Sequence, residues 1–137
     1  MKVYLAARYS RHTELFNYGQ ELEELGWTIT SRWIRGAHQI RDEQLDNTVH
    51  AELRLRFALE DWQDLLEADL CINFTEPPRT GPTRGGRHVE FGGAYALQKK
   101  CWVVGHRENI FHCLPGVKFF KTWEEARGLA ELLTRVP

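Results

Sequence analysis

The sequence predicts a single α/β domain, residues 1–137, with a parallel sheet of four to five strands and helices on both faces. Short apolar segments alternate along the chain with longer amphipathic ones, as in a sheet whose parallel strands are joined by helices. A length of 137 residues suffices for one core but not for two. Arginines gather in the segments that follow the apolar ones, at the edge of such a sheet where ligands bind.

The candidate strands are short apolar segments. They are Lys2–Ala6, Trp27–Thr30, Leu70–Phe74, Cys101–Gly105 and Val117–Phe120, the last being the weakest. A helix is predicted between the first two strands, because apolar residues recur at helical spacing from Leu15 to Leu25. Ser10 is the expected N-cap of this helix, and Gly26 is its expected stop.

Three further helices complete the alternation. The segment Asn47–Glu67 is long and amphipathic, and Arg87–Lys99 follows a glycine-rich loop. A last helix is predicted after a capping box formed by Thr122 and Glu125. The stretch Ser31–Leu45 has no sustained period, so it is a candidate binding loop.

Composition and motifs bound the class of protein. No apolar run is long enough to cross a membrane, and residues 1–10 lack the apolar region of a signal peptide, so we expect a cytoplasmic protein. The three cysteines have no metal-ligand spacing, and we expect neither a metal nor a cofactor. Cys71 and Cys101 fall in predicted buried strands and are expected to be reduced core residues.

The arginines are distributed unevenly. Nine of the thirteen lie in residues 7–12, 31–41, 75–89 and 106–107, where Glu76 is the only acid. They are Arg8, Arg11, Arg32, Arg35, Arg41, Arg79, Arg84, Arg87 and Arg107. Right-handed crossovers place the outgoing loops of parallel strands at one edge. We therefore expect a positively charged edge that suits an anionic ligand. The alternative is that the arginines only solvate the surface.

The stretch Thr83–Leu97 is the strongest candidate for chemistry. It contains the pair Gly85-Gly86, a single acid, Glu90, and then a run of helix formers. Glycines permit a tight turn and the close approach of a ligand, and a helix start favours negative charge. We expect Glu90 to lie ionised in the first turn of the helix. The alternative is that it only caps this helix.

Asp61 is the second candidate acid. It is four residues from both Phe57 and Leu65, so it shares a row with apolar residues of its helix. An acid in that position is costly unless it is used or paired. A buried arginine partner, such as Arg8 or Arg32, is the alternative to a catalytic function.

Two carboxylates in a basic cleft suit a reaction at the anomeric carbon of a sugar. One carboxylate can attack that carbon while other groups stabilise the leaving base. Arginines and backbone N–H groups of the glycine loop would hold a phosphate. Neither the GxGxxG fingerprint of dinucleotide-binding proteins nor a P-loop pattern occurs.

Aromatic residues could also face this edge. Tyr4 lies near the end of the first strand, from which its hydroxyl could reach the site; it is equally well explained as a core residue. Trp33 or Phe91 could stack on a base. The alternative for Trp33 is a core position at a strand end.

Three marks occur in order across residues 3–105. They are the aromatic strand opening Val3-Tyr4-Leu5, the acids Asp61 and Asp69 eight residues apart, and Glu90-Phe91-Gly92 after a glycine-containing turn. With this ordered set the chain resembles the nucleoside 2-deoxyribosyltransferase family, including its nucleoside 5′-monophosphate N-glycosidase branch. The resemblance implies a flavodoxin/Rossmann-like domain. It also implies cleavage of the N-glycosidic bond of a nucleotide or nucleoside, by hydrolysis or by deoxyribosyl transfer to another base.

The resemblance implies a role for each matching residue. Glu90 corresponds to the nucleophile, which forms a glycosyl-enzyme intermediate. Asp61 corresponds to the acid that interacts with the base or assists its departure. Tyr4 corresponds to the tyrosine that positions the sugar and the nucleophile.

The expected substrate-binding residues lie in the outgoing loops. They are Arg8, Trp33, Arg84, Gly85, Gly86 and Arg87. Family members that act on free nucleosides commonly carry an acid six residues before the nucleophile. Arg84 occupies that position here, which favours a 5′-phosphorylated substrate. The resemblance further implies a homo-oligomer whose site is completed by a neighbouring subunit, with Asn109 as the first candidate and His112 as the second.

Two other functions stay open at this point. One is a non-catalytic nucleotide-binding sensor, and the other is a glycohydrolase that acts on an NAD-like dinucleotide. In all three cases the expected partner is a small-molecule nucleotide or nucleoside and not a nucleic acid polymer or a membrane.

Overall fold

The computed structural model describes residues 1–36, 51–78 and 85–135. The strands are β1 (Lys2–Ala6), β2 (Thr28–Ile29), β3 (Leu70–Phe74), β4 (Lys100–Val104) and β5 (Lys118–Phe120). The helices are α1 (His12–Glu24), α2 (Ala51–Glu67), α3 (Gly86–Ala96) and α4 (Trp123–Arg135). The strands form one parallel sheet in the order β2-β1-β3-β4-β5, which confirms the predicted fold class.

The register of the strands decides which side chains share a face. Tyr4 of β1 pairs with Cys71 of β3, which pairs in turn with Cys101 of β4. Because side chains alternate along a strand, Asn73 lies on the same face, one row nearer the carboxyl edge of the sheet. Helices α2 and α3 contact β1 and each other. Besides burial, the charge of Glu90 on α3 raises the pKa of both Tyr4 and Cys71, so Glu90 lies on the same side of the sheet.

The opposite face packs against α1 and α4. The Cβ that a residue other than glycine would carry at position 19 of α1 would lie 3.7 Å from Leu5 Cδ1. The ring of Tyr18 in α1 stacks on that of Trp123 in α4, with centroids 4.7 Å apart, and both contact Phe74 at the end of β3. The sheet therefore has helices on both faces, as predicted.

The ends of the elements test the local predictions. Ser10 does not cap α1, because it lies in a 3₁₀ turn, Tyr9–Arg11, and α1 begins only afterwards without a side-chain cap. Gly26 follows the end of α1 at φ +90°, so the predicted stop is confirmed. The capping box is confirmed only for the bond to Thr122. Thr122 Oγ1 accepts the N–H of Glu125 at 3.3 Å, although the carboxylate of Glu125 accepts from Lys121 rather than from Thr122.

Parts of three predicted segments lie outside the described residues. They are residues 37–45 of the candidate binding loop, 47–50 of the long helix and 83–84 of the stretch that contains Glu90. Cys71 and Cys101 are buried and free, as predicted, whereas Cys113 is exposed. No helix in the described ranges has the length and apolar character needed to span a membrane.

Candidate active site

Glu90 lies in the second turn of α3 and does not cap the helix. Gly85 precedes the helix at φ +79°, a conformation that favours glycine, and α3 begins at Gly86. Glu90 is therefore the fifth helical residue, beyond the first turn in which the sequence predicted it. No side chain caps α3, and Oε2 of Glu90 has no hydrogen-bond partner among the described residues. The alternative that Glu90 is only a cap is wrong.

Burial dominates the electrostatics of Glu90. It raises the pKa of the Glu90 carboxyl group from 4.5 to about 8, while an interaction with the Tyr4 hydroxyl lowers this pKa and the charge of Asp61 raises it. The prediction that Glu90 is ionised is therefore wrong for neutral pH, because desolvation outweighs the helix start and the tyrosine. A carboxyl group that keeps its proton near neutral pH is typical of a site that uses protons.

Tyr4 belongs to the same cluster. Its side chain is fully buried, and its hydroxyl has no hydrogen-bond partner of ordinary geometry among the described residues. Burial raises the pKa of Tyr4 well above its usual value, and the charges of Glu90 and Asp61 raise it further. Tyr4 is thus a core residue that also faces Glu90, so the two interpretations of it hold together.

Asp61 lies on the inner side of α2, as its spacing predicted. Phe57 and Leu65, one turn before and after it, are both buried, and Asp61 itself is half-buried. The charge of Asp61 acts on both Glu90 and Tyr4. The structure therefore brings together the three residues that the resemblance assigned to catalysis.

Gly93 controls how closely α2 approaches α3. A Cβ at this position would lie 2.8 Å from Cη2 and 2.9 Å from Cζ3 of Trp62, closer than carbon atoms pack. Trp62 adjoins Asp61, and Gly93 is one turn beyond Glu90, so this contact sets the separation of the two carboxyl groups. The sequence signal was a glycine in a helix interior, which often marks a close packing contact.

Arg32 pairs with Asp64 and not with Asp61. Its Nε and Nη2 lie 3.0 Å from Oδ1 of Asp64, and its backbone N–H donates to Oδ2 at 3.0 Å. Asp64 is almost fully buried. This carboxylate was not among the predicted site residues, although it lies one turn after Glu60 on the inner side of α2. One alternative to a catalytic function of Asp61 was an ion pair with Arg32. The pairing of Arg32 with Asp64 excludes it.

The two aromatic residues predicted to stack on a base are core residues. Trp33 is 5% exposed, and its Nε1 donates to the Leu5 carbonyl at 2.8 Å. Phe91 is also buried, with its ring edge-on to His112 at 5.1 Å between centroids. The stacking predictions are wrong, because neither ring offers a face to a ligand. Tyr9, which was not among the predicted aromatic residues, is half-buried at the same edge and contacts Trp33.

Arg87 is neutralised inside the protein. Its guanidinium Nη2 lies 2.7 Å from Oε2 of Glu108, and its Nε donates to Oε1 at 3.2 Å. The same carboxylate accepts the backbone N–H of Glu76 at 3.0 Å. The pair ties the start of α3 to the loops that leave β3 and β4. Arg87 is 3% exposed and holds the site together instead of presenting a charge to a substrate.

The two residues expected to reach a neighbouring subunit differ in their environment. His112 is 1% exposed, and its Nδ1 accepts the backbone N–H of Glu108 at 3.1 Å. A residue buried in its own chain does not reach another, so the prediction for His112 is wrong. Asn109 is half-buried on the loop after β4, and its Oδ1 caps a 3₁₀ helix, Ile110–Cys113, by accepting the N–H of Phe111 at 2.9 Å.

The other predicted binding residues lie at the start of α3 and after β1. A Cβ on Gly86 would lie 4.0 Å from Oε1 of Glu90, so the carboxyl group folds back toward the first residue of the helix. Arg8 is half-buried two residues beyond β1, and its carbonyl accepts the N–H of Arg11 at 3.0 Å. Arg84 lies outside the described residues.

The edge carries less positive charge than its arginines suggested. Arg11 forms a two-pronged pair with Glu14, at 2.9 and 2.7 Å, as Arg32 does with Asp64 and Arg87 with Glu108. These acids lie outside the four arginine-bearing segments of the sequence, and the fold places each of them beside its arginine. The prediction of a strongly basic edge is therefore wrong, because three of its arginines are neutralised by carboxylates.

A cavity of about 620 Å³ lies away from these carboxyl groups. It is lined by α1, β2 and the 3₁₀ turn Arg32–Arg35, with Phe16, Ile29 and Ile34 among its apolar residues. None of Tyr4, Asp61 and Glu90 lines it. The candidate active site is therefore defined by its buried carboxyl group and not by this cavity.

Comparison with known proteins adds likeness in structure but not in sequence. No protein-family model matches the sequence, and a comparison with curated proteins gave no match. The chain is similar in structure to a 2-deoxyribosyltransferase from the psychrotolerant bacterium Bacillus psychrosaccharolyticus, with a TM-score of 0.68 and 19% identity. The alignment covers 92% of this chain and 90% of that one.

Two other solved structures resemble it over similar lengths. The CMP N-glycosidase of Clostridium botulinum has a TM-score of 0.60 and 21% identity, over 96% of this chain and 99% of that one. A conserved protein from Enterococcus faecalis V583 has a TM-score of 0.54 and 17% identity, over 96% and 87%. The chain thus has the fold found in a 2-deoxyribosyltransferase and in an N-glycosidase, as the sequence resemblance implied.

Proposed function

We propose that this protein cleaves the N-glycosidic bond of a nucleoside 5′-monophosphate or nucleoside, with Glu90 as the nucleophile. The observation that carries this proposal is a buried carboxyl group, Glu90, whose Oε2 has no partner among the described residues and which faces Tyr4 and Asp61. Buried polar atoms without partners are rare in proteins and are often explained by function. The fold shared with a 2-deoxyribosyltransferase and a CMP N-glycosidase supports the same reaction class.

In the first step the ionised carboxylate of Glu90 attacks C1′ of the sugar. A bond forms between a Glu90 oxygen and C1′, and the bond between C1′ and the base nitrogen breaks with its electron pair going to the base. We assign Asp61 to contacting the departing base, which takes a proton from solvent as it leaves. Water then attacks C1′ while the bond between C1′ and Glu90 breaks, and the proton of this water passes through Asp61 to solvent, giving hydrolysis. Attack by a second base at the same atom gives transfer instead.

The protonation of Glu90 sets the pH dependence of this mechanism. Only the carboxylate attacks C1′, and with a pKa of about 8 it is a minor form at pH 7. The value of kcat/KM for the free enzyme should therefore rise with pH through about 8. Tyr4, whose interaction lowers the pKa of Glu90, favours the reactive form and is assigned to positioning the nucleophile.

A 5′-phosphate fits the start of α3. No side chain of the described residues caps this helix, so the N–H groups of its first turn are candidates to bind an anion, and Gly86 lets a ligand approach the backbone. Arg84 immediately precedes this turn, and Arg8 leaves β1 at the same edge. We assign these two arginines to the phosphate; Arg87 is not included because it is 3% exposed and its guanidinium is covered by Glu108.

We also propose that the protein forms a homo-oligomer through α2. Large apolar side chains are exposed along one face of this helix, at positions i, i+4, i+7 and i+11. They are Leu55, Leu59, Trp62 and Leu66, with exposed fractions of 59, 60, 42 and 46%. An exposed apolar stripe of this kind indicates a protein interface.

A second copy of the chain suits this face because of its charges. The first half of α2 carries Arg54 and Arg56 with one acid, Glu52, and the second half is acidic, with Glu60 and Glu67; Glu60 also lies 3.8 Å from Arg56. Two copies that pack antiparallel about a two-fold axis place the basic half of each helix against the acidic half of the other. Asn109 is our candidate for a residue that reaches the neighbouring site, because it is half-buried beside the exposed Ile110 and Phe111.

A screen for released base tests the proposed reaction. The protein is incubated with the common ribo- and deoxyribonucleoside 5′-monophosphates, the free nucleosides and NAD, with and without an acceptor base, and the products are separated by chromatography. We expect a free base from at least one 5′-monophosphate, and none from the folded Glu90→Ala variant. Full activity of that variant would exclude Glu90 as the nucleophile. Tight binding of a nucleotide without any turnover would favour a sensor instead.

A further inference from the structure

Four buried polar side-chain atoms have no hydrogen-bond partner among the described residues. Three are Tyr4 Oη, Glu90 Oε2 and Nδ1 of His88, which belong to the catalytic cluster or to the first turn of α3. The fourth is Oδ1 of Asn73, the next-to-last residue of β3, whose side chain is 0% exposed. The proposed mechanism gives Asn73 no function.

Nδ2 of Asn73 lies toward Nε2 of His112 and Oδ1 lies away from it, but the hydrogen bonding of His112 requires the opposite orientation of this amide. Nδ1 of His112 accepts the backbone N–H of Glu108, so this nitrogen carries no proton. A neutral imidazole then has its proton on Nε2, which is 3.4 Å from the amide of Asn73 and must donate to it. Only the amide oxygen can accept that proton. Since the two ends of an amide are isosteric, the unpartnered end is the NH2 group, a donor.

The position of Asn73 places this donor on the way to Glu90. Burial raises the pKa of both Tyr4 and Cys71, and the charge of Glu90 raises both further; these two residues pair across β1 and β3. Asn73 is two residues further along β3 on the same face, about 7 Å nearer the carboxyl edge. Glu90 lies about 6 Å along α3 from Gly86, at that edge. A sugar with C1′ at Glu90 and its phosphate at the start of α3 therefore passes over the row of Asn73.

The stereochemistry of the attack decides which groups of the sugar face Asn73. The base is on the β face of a nucleoside, so a nucleophile that displaces it approaches from the α face. The hydroxyl groups of the ribose ring are on that same α face. We propose that Asn73 is a further substrate-binding residue, whose NH2 group donates a hydrogen bond to an α-face hydroxyl of the sugar. This inference rests on the proposed function, because that function places C1′ at Glu90.

The test combines variants of Asn73 with sugars that lack single hydroxyls. Asn73→Leu removes the amide, and Asn73→Asp keeps the oxygen that faces His112 but removes the NH2 group. Binding of cytidine 5′-monophosphate and of its 2′-deoxy, 3′-deoxy and 2′,3′-dideoxy forms is measured by calorimetry at pH 8. A Glu90→Gln background prevents turnover.

We expect each Asn73 variant to weaken binding of the nucleotides that carry the recognised hydroxyl by about tenfold and to leave the others unchanged. The 2′-deoxy and 3′-deoxy forms show which hydroxyl it is. An equal loss on all four nucleotides, or no loss on any, would overturn the role of Asn73, whether or not the wild-type protein releases base. Hydroxyl-specific losses in a protein that releases no base would keep Asn73 as a binding residue and reject the glycosidase. If none of the four nucleotides binds, the inference on Asn73 fails and cytidine nucleotides are excluded as substrates.

Discussion

Replacing Glu90 by glutamine should stabilise the protein, and by an amount that depends on pH. In the unfolded chain Glu90 titrates near 4.5, whereas in the folded protein burial raises its pKa to about 8. Between these values the unfolded chain loses the proton and the folded protein keeps it, so ionisation favours unfolding. The contribution of Glu90 to the free energy of unfolding is therefore fully present below pH 4.5. It decreases as the pH rises above 4.5 and is lost above about 8.

The size of this effect follows from the pKa difference. Each pKa unit corresponds to about 1.4 kcal/mol, so the penalty reaches about 3 kcal/mol at pH 7 and about 5 kcal/mol above pH 8. Glutamine has the shape of the protonated acid and cannot ionise. We therefore expect Glu90→Gln to raise the free energy of unfolding by about 3 kcal/mol at pH 7 and to leave it nearly unchanged at pH 4.

Urea denaturation of both proteins at pH 4, 7 and 8 measures the difference. Glu24→Gln, at the exposed end of α1, is the matched control and should give no comparable stabilisation. A gain of the same size at pH 4 and pH 7 would show that packing and not ionisation is responsible. A loss of stability at pH 7 would refute the conclusion that Glu90 is protonated there.

The other predictions concern the acid on α2, the oligomer and the phosphate. Asp61→Asn should lower the pH midpoint of activity, because it removes a charge that raises the pKa of Glu90, and should reduce the maximal rate of base release about 100-fold. An unchanged midpoint would contradict the coupling. Leu59→Lys should give a monomer in sedimentation velocity, whereas Leu132→Lys, 57% exposed on α4, should not; the same assembly state in both variants would contradict the α2 interface. Arg84→Ala should raise KM at least tenfold for a nucleotide but not for its nucleoside, and equal losses would exclude a phosphate contact.

The fold was predictable because its signals are local. Alternation of apolar segments with helical periods gave the parallel sheet, and the φ of +90° at Gly26 shows why that glycine ends a helix. Ser10 failed for an equally local reason. Ser10 lies inside a 3₁₀ turn that precedes α1, and the sequence pattern of a serine followed by helically spaced apolar residues does not predict such a turn.

The candidate site was predictable only in part, because pairings depend on the fold. Glu90 and Asp61 were found from a glycine turn and a helical row. The Arg87–Glu108 pair joins residues 21 positions apart, and Asp64 meets Arg32 across 32 positions, so neither shows in a local pattern. These ion pairs contradict the prediction of a strongly basic edge. The pKa of Glu90 was missed for a similar reason, since burial is a property of the folded chain.

The most direct test of the account is to find the sugar on Glu90. The wild-type protein is mixed with the nucleotide whose base it releases, quenched in acid within one turnover, digested and examined by mass spectrometry. We predict that the peptide containing Glu90 gains the mass of one sugar phosphate, and that the corresponding peptide of Glu90→Gln gains nothing. Base release without any adduct on Glu90, at an undiminished rate in Glu90→Gln, would contradict the central claim.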